Sequence, residues 1–80
     1  MNVTVLLFAS YADSLGARSL NVALQPGWTV ADVVSHIRQM PGAKTLPAEP
    51  LVAVNERYAK RDRVLAAGDE VAIIPPVAGG

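Results

Sequence analysis

A chain of 80 residues is long enough to bury one hydrophobic core and too short to divide into two, and a 51% apolar composition excludes a disordered tail. Seven basic and seven acidic side chains cancel to zero formal charge, so no global field draws the chain to nucleic acid or an anionic membrane, and protein partners are expected. The absence of cysteine excludes disulfides, thiolate catalysis and cysteine-ligated zinc or iron–sulfur centres, while short apolar runs and the lack of a basic N-terminal leader point to a cytoplasmic protein.

The first element, "VTVLLFA" (Val3 to Ala9), is rich in β-branched and large apolar residues and predicts a central strand buried on both faces. "SYADSLG" follows, with Ser10 placed as an N-cap, Asp13 three residues on and Gly16 as terminator, so one or two helical turns fit. In "SLNVALQPG" the alternation puts Leu20, Val22 and Leu24 on one face of a second strand, which Pro26 and Gly27 end.

The main helix is predicted over about 29–40. Thr29 caps it towards Asp32, Trp28 is positioned to staple onto Val33, and Val30, Val33, Val34, Ile37 and Met40 form one apolar stripe for a sheet. Pro41 and Gly42 stop it, and Pro47 and Pro50 keep the next segment irregular. "LVAV" (Leu51 to Val54) predicts a third strand, Asn55-Glu56 a turn into a short piece around Tyr58, Gly68-Asp69 another turn, and Glu70 to Ile74 the last strand. The order describes an α+β domain with a mixed sheet of four to five strands and one main helix.

Pro75 and Pro76 lack amide donors, so the ladder is expected to fail there and the chain to leave in an extended, polyproline-like direction. This divides the sequence into a domain over 1–75 and a tail over 76–80. A Gly-Gly pair at a given position arises by chance in roughly 0.5% of sequences. Gly79 and Gly80 carry no Cβ, so they are able to thread a channel closed to other residues and bring a carboxylate into a narrow enzyme site. That carboxylate is ionised at neutral pH, with a reference pKa of about 3.3 to 3.7, and needs activation to become an electrophile. No Gly-rich phosphate loop of the G-x-x-x-x-G-K type stands in the chain, so a separate nucleotide-dependent enzyme is implied.

"VAVNERY" followed by "LAAGDEVAIIPPVAGG" resembles the small subunit of molybdopterin synthase, a family of sulfur carriers with the ubiquitin-like β-grasp fold. "VTVLLFASYADSLGARSLNVAL" and "TVADVVSHI" are similar to the first hairpin and main helix of that family, so the resemblance spans the chain apart from the loop between Met40 and Pro50. It implies that an E1-like adenylating enzyme uses ATP to convert the Gly80 carboxylate to an acyl-adenylate, and that a sulfur donor protein then makes it a thiocarboxylate. The large subunit would accept the tail and build the dithiolene of molybdopterin from a pyranopterin precursor, in a heterotetramer of two small and two large subunits. On this reading Gly80 bears the reacting atom and Gly79 gives access. Ile74, Pro75, Pro76, Val77 and Ala78 fix the exit and contact partners, Ala78 standing where the family often carries Ser or Thr. No cofactor or metal is expected on the chain itself.

Phe8 fits either the core or an apolar sheet face offered to the large subunit. Arg57, Lys60, Arg61 and Arg63 hold four of the seven basic residues; the cluster reads as a solvated turn, with steering of an acidic partner as the sharper alternative. His36 falls between stripe positions and has no second ligand nearby, so it reads as surface. Three other functions remain open to the sequence: a carrier for the thiazole of thiamin, a ubiquitin-like modifier forming isopeptide bonds with lysines, and a binding module with an inert tail.

Overall fold

Residues 1–76 are described in a computed structural model of the chain; Val77, Ala78, Gly79 and Gly80 lie outside the described residues. In chain order the elements are β1 (Asn2–Leu7), α1 (Ala9–Leu15), β2 (Ser19–Ala23), α2 (Val30–Arg38), a 3₁₀ turn (Ala43–Thr45), β3 (Leu51–Val54), β4 (Arg57–Tyr58) and β5 (Glu70–Ile74). The strands form one five-stranded sheet in the order β2-β1-β5-β3-β4. Here β1 and β5 run parallel, and every other pair is antiparallel. The expected mixed sheet with one main helix is what forms.

Burial follows the strand period of two. Val3, Val5 and Leu7 of β1, Val22 of β2, Val52 and Val54 of β3, and Val71 and Ile73 of β5 point to one side and share a core with Val30, Val33, Val34 and Ile37 of α2. Thr4 is exposed and Leu6 half-buried, so β1 is buried on one face, not on both as its apolar run predicts. The strand is central, yet the helical layer lies on one side of the sheet and the other side is left open.

α2 starts as its sequence dictates. The Asp32 amide donates to Thr29 Oγ1 at 3.4 Å and the Thr29 amide donates to Asp32 Oδ2 at 2.8 Å, a reciprocal capping box. Two further first-turn amides are satisfied from afar: Val30 donates to the Arg63 carbonyl at 2.9 Å and Ala31 to the Arg61 carbonyl at 3.0 Å. The helix ends at Arg38, with Gln39 as C-cap, two residues before the expected 40; Met40 still packs on the core. The Trp28 ring lies at the core margin, 5.6 Å from the exposed His36 ring.

α1 differs from its expected start. Its N-cap is Phe8, without a side-chain cap bond, and Ser10 lies inside the helix. The cause is tertiary. Ala9 adopts a left-handed φ of 48°, and the turn it makes delivers Tyr11 to the core at 4% exposure. Gly16 ends the helix as expected, at φ 71°, its amide donating to the Ala12 carbonyl.

Candidate functional site

The open side of the sheet is divided in two. Cross-strand register places Asn2 opposite Ala23, Thr4 opposite Asn21 and Glu70 beside Thr4, a polar half. Towards the end where β5 leaves the sheet, the same face carries Leu6, Ala72, Ile74, Leu51, Ala53 and Tyr58, aligned as Leu51 with Ile74 and Ala53 with both Ala72 and Tyr58. Phe8 lies just past the end of β1 and adds an aromatic ring, 45% exposed; Tyr58 is 74% exposed and Leu51 50%. Leu6, Phe8, Ala53, Tyr58, Ala72 and Ile74 line a shallow hollow of about 520 Å³, with Glu56 and Glu70 as its charged members.

The hollow exists because two apolar strands meet there with no layer above them. Leu6 and Phe8 are the alternate residues of a β1 run whose Val5 and Leu7 fill the core, and Ala72 and Ile74 stand in the same relation to Val71 and Ile73. Phe8 therefore belongs to the exposed sheet face, not to the core. Ile74 is half-buried and lies both in the hollow and in a second groove with Tyr11, Pro47, Pro50, Leu51 and Pro76. Pro75 is half-buried and Pro76 exposed. The root of the tail is thus flanked by apolar surface on two sides. Val77, Ala78, Gly79 and Gly80, which carry the sequence-derived reactive end, lie outside the described residues.

One polar network fixes the geometry at the far end of β5. Asn55 Nδ2 donates to Asp69 Oδ1 at 2.9 Å, the Glu70 amide donates to Asn55 Oδ1 at 3.0 Å, and the Ala66 amide donates to Asp69 Oδ2 at 2.8 Å. The Ala66 amide bond, reinforced by Asn55 and the charge of Arg63, holds the Asp69 carboxyl below its ordinary range. The network ties the β3–β4 turn to the start of β5, so Glu56 and Glu70 are set side by side.

The basic cluster is exposed throughout. Arg61 Nη1 pairs with Glu49 Oε1 at 2.5 Å, on side chains 63% and 66% exposed, where such a pair contributes little to stability. None of the four basic residues lines the hollow. Among the described residues, no group of three His, Cys, Asp or Glu side chains is gathered to hold a metal ion, and no helix is long and apolar enough to cross a membrane.

Sequence reasoning singled out Phe8, Ile74, Pro75 and Pro76 and missed Leu6, Ala53, Glu56, Tyr58, Glu70 and Ala72. The signal was present in the strand alternation. Once Val71 and Ile73 are assigned inward, Glu70, Ala72 and Ile74 must face the other way.

Residues 5–80 match the ThiS family. Over its whole length the chain is 28% identical to the molybdopterin synthase sulfur carrier subunit of Arabidopsis thaliana, covering 84% of that protein. The human molybdopterin synthase sulfur carrier subunit is 32% identical, with 98% of this chain and 93% of that protein aligned. Among solved structures, the small archaeal modifier protein 1 of Haloferax volcanii superposes with a TM-score of 0.84 at 28% identity, covering 95% of this chain and 98% of that one.

Proposed function

Because the chain belongs to the ThiS family of ubiquitin-like β-grasp proteins, we propose that it is the sulfur-carrying small subunit of a molybdopterin synthase, with Gly80 bearing the reacting carboxylate. The reading rests on the kinship with sulfur carrier subunits along the full chain and on one structural observation: the apolar half of the open face adjoins the end of β5, from which the tail departs. A partner that covers Leu6, Phe8, Ala72 and Tyr58 also meets Pro75 and Pro76, and receives the tail beyond them.

The chemistry has three stages. An E1-like adenylating enzyme joins the Gly80 carboxylate to the AMP moiety of ATP with release of pyrophosphate, which turns a poor electrophile into an acyl-adenylate. Sulfur, delivered at the oxidation level of sulfide by a donor protein, displaces AMP and leaves a thiocarboxylate. The large synthase subunit then takes the tail; the terminal sulfur bonds to a carbon of the pyranopterin precursor in place of an oxygen leaving group, and water cleaves the resulting thioester, leaving the sulfur on the pterin and returning the Gly80 carboxylate. Gly79 serves by having no side chain in the channel. Catalysis and ATP binding belong to the partners, and the small subunit contributes the reagent and its presentation.

The likeness to a small archaeal modifier protein favours a second reading, in which the activated Gly80 forms isopeptide bonds with target lysines. Intact mass measurement of the untagged chain, after incubation with the adenylating enzyme, ATP and the sulfur donor, tests the first. A gain equal to exchange of one oxygen for sulfur, trapped at Gly80 by alkylation, is expected. No gain with a verified active enzyme, together with a ladder of conjugates lost on deletion of Gly80, would establish the modifier instead.

A further inference from the structure

The hollow on the open face has a shape and a charge that select its occupant. Its floor is the aligned pair Ala53 and Ala72, while Leu6, Phe8, Tyr58 and Ile74 surround them. Methyl groups within a rim of longer apolar side chains suit a protruding apolar side chain from outside. The rim is also asymmetric in charge. Glu56 and Glu70 are the charged groups that line the hollow, and they share a smaller adjoining cleft with Asn55. Among the described residues neither carboxylate takes part in an ion pair or a side-chain hydrogen bond. The fold makes no use of them.

Glu56 is placed there against the preference of its backbone. Asn55 and Glu56 have φ of 50° and 72° and form the two-residue turn between β3 and β4, a conformation in which glycine is the favoured second residue. A carboxylate at this site burdens the turn and satisfies no other group among the described residues. Its benefit must then lie in contact with another molecule.

We propose that the partner seated on this face presents an apolar side chain flanked by an arginine or lysine: the apolar group fills the hollow over Ala53 and Ala72, and Glu56 and Glu70 receive the cation. The acidic rim then discriminates among surfaces of similar apolar shape, because one with a carboxylate at that point meets like charge. The inference rests on the carrier reading, which makes the occupant of this face the large subunit of molybdopterin synthase.

The test is calorimetric titration of that subunit with the full chain at low and high salt. Wild type is expected to bind with an affinity that falls as salt rises. Glu56→Gln should bind about tenfold more weakly with a shallower salt dependence, as expected for a lost rim charge. Ala72→Leu, which fills the hollow from a half-exposed position, should abolish binding. Glu56→Gly separates partner from fold: relief of the positive φ raises its denaturation midpoint, while its affinity falls as in Glu56→Gln. Wild-type affinity in both Glu56 variants overturns the cation seat, and wild-type affinity in Ala72→Leu overturns the apolar plug. A wild-type chain that does not bind the large subunit at all overturns the carrier reading itself, and the proposal with it.

Discussion

Two glycines with almost the same backbone angle offer a direct test of how the loop after α2 is held. Gly42 has φ 89° and Gly68 has φ 84°. A Cβ on Gly68 would meet nothing within 4 Å, whereas a Cβ on Gly42 would overlap the Ser14 carbonyl oxygen and come within 3.2 Å of its carbon. Left-handed backbone costs an alanine about 1–2 kcal/mol, and alanine recovers about 0.4–1 kcal/mol by restricting the unfolded chain. Gly68→Ala should therefore lose about 1 kcal/mol. Gly42→Ala carries the same two contributions plus a collision with backbone atoms of α1, which have no rotamer into which to retreat; overpacking of this kind costs about 1–3 kcal/mol. Its total should be about 2–4 kcal/mol. Urea denaturation of both variants at neutral pH measures the difference directly. In thermal melts of a domain of this size, each kcal/mol appears as about 4–8 °C. Equal losses would refute the close approach, and with it the packing of the 3₁₀ turn on α1 that the Thr45–Ser14 hydroxyl bond of 3.1 Å also marks.

Other consequences are as specific. Thr29→Ala removes the side-chain half of the α2 capping box and should lower stability by about 1 kcal/mol in chemical denaturation. The Asp69 carboxyl is depressed below its ordinary value of 3.8, so its ionised form stabilises the fold above that pH and the contribution disappears as pH falls through the depressed value. The stability deficit of Asp69→Asn relative to wild type should accordingly be largest near neutrality and shrink in acid, as followed by urea midpoints across pH; a deficit independent of pH would contradict the assignment. Phe8→Ala, at a 45% exposed ring, should change stability by at most about 0.5 kcal/mol while weakening association with the large subunit in the same calorimetric assay. Gly79→Trp should fold as wild type and fail to gain sulfur in the mass assay.

The parts of the fold legible in the sequence were those set by local chemistry. β3 and β5 have the expected bounds because prolines, a turn and a glycine-aspartate pair delimit them, and α2 begins at its threonine because capping acts over three residues. The start of α1 escaped because Ser10 obeys a local rule that loses to the burial of Tyr11 through a strained Ala9. The misreading of β1 is more instructive, since it concealed the site. Leu6 and Phe8 look like core residues in a continuous apolar run, and nothing in their chemistry reveals that no second layer covers them. The end of β5 at Ile74 was legible because Pro75 and Pro76 cannot extend the ladder; the apolar ground around it depends on register between β1, β3 and β5, strands some twenty to seventy residues apart.

β5 is the last strand in sequence and lies in the sheet between β1 and β3. During synthesis, therefore, β1 has emerged from the ribosome long before its parallel neighbour exists, and β3 waits on the same strand. The apolar sides of both remain without their central partner until residues 70–74 are free. A nascent chain arrested before Glu70 therefore holds the β1–β2 and β3–β4 pairs without the strand that joins them into one sheet.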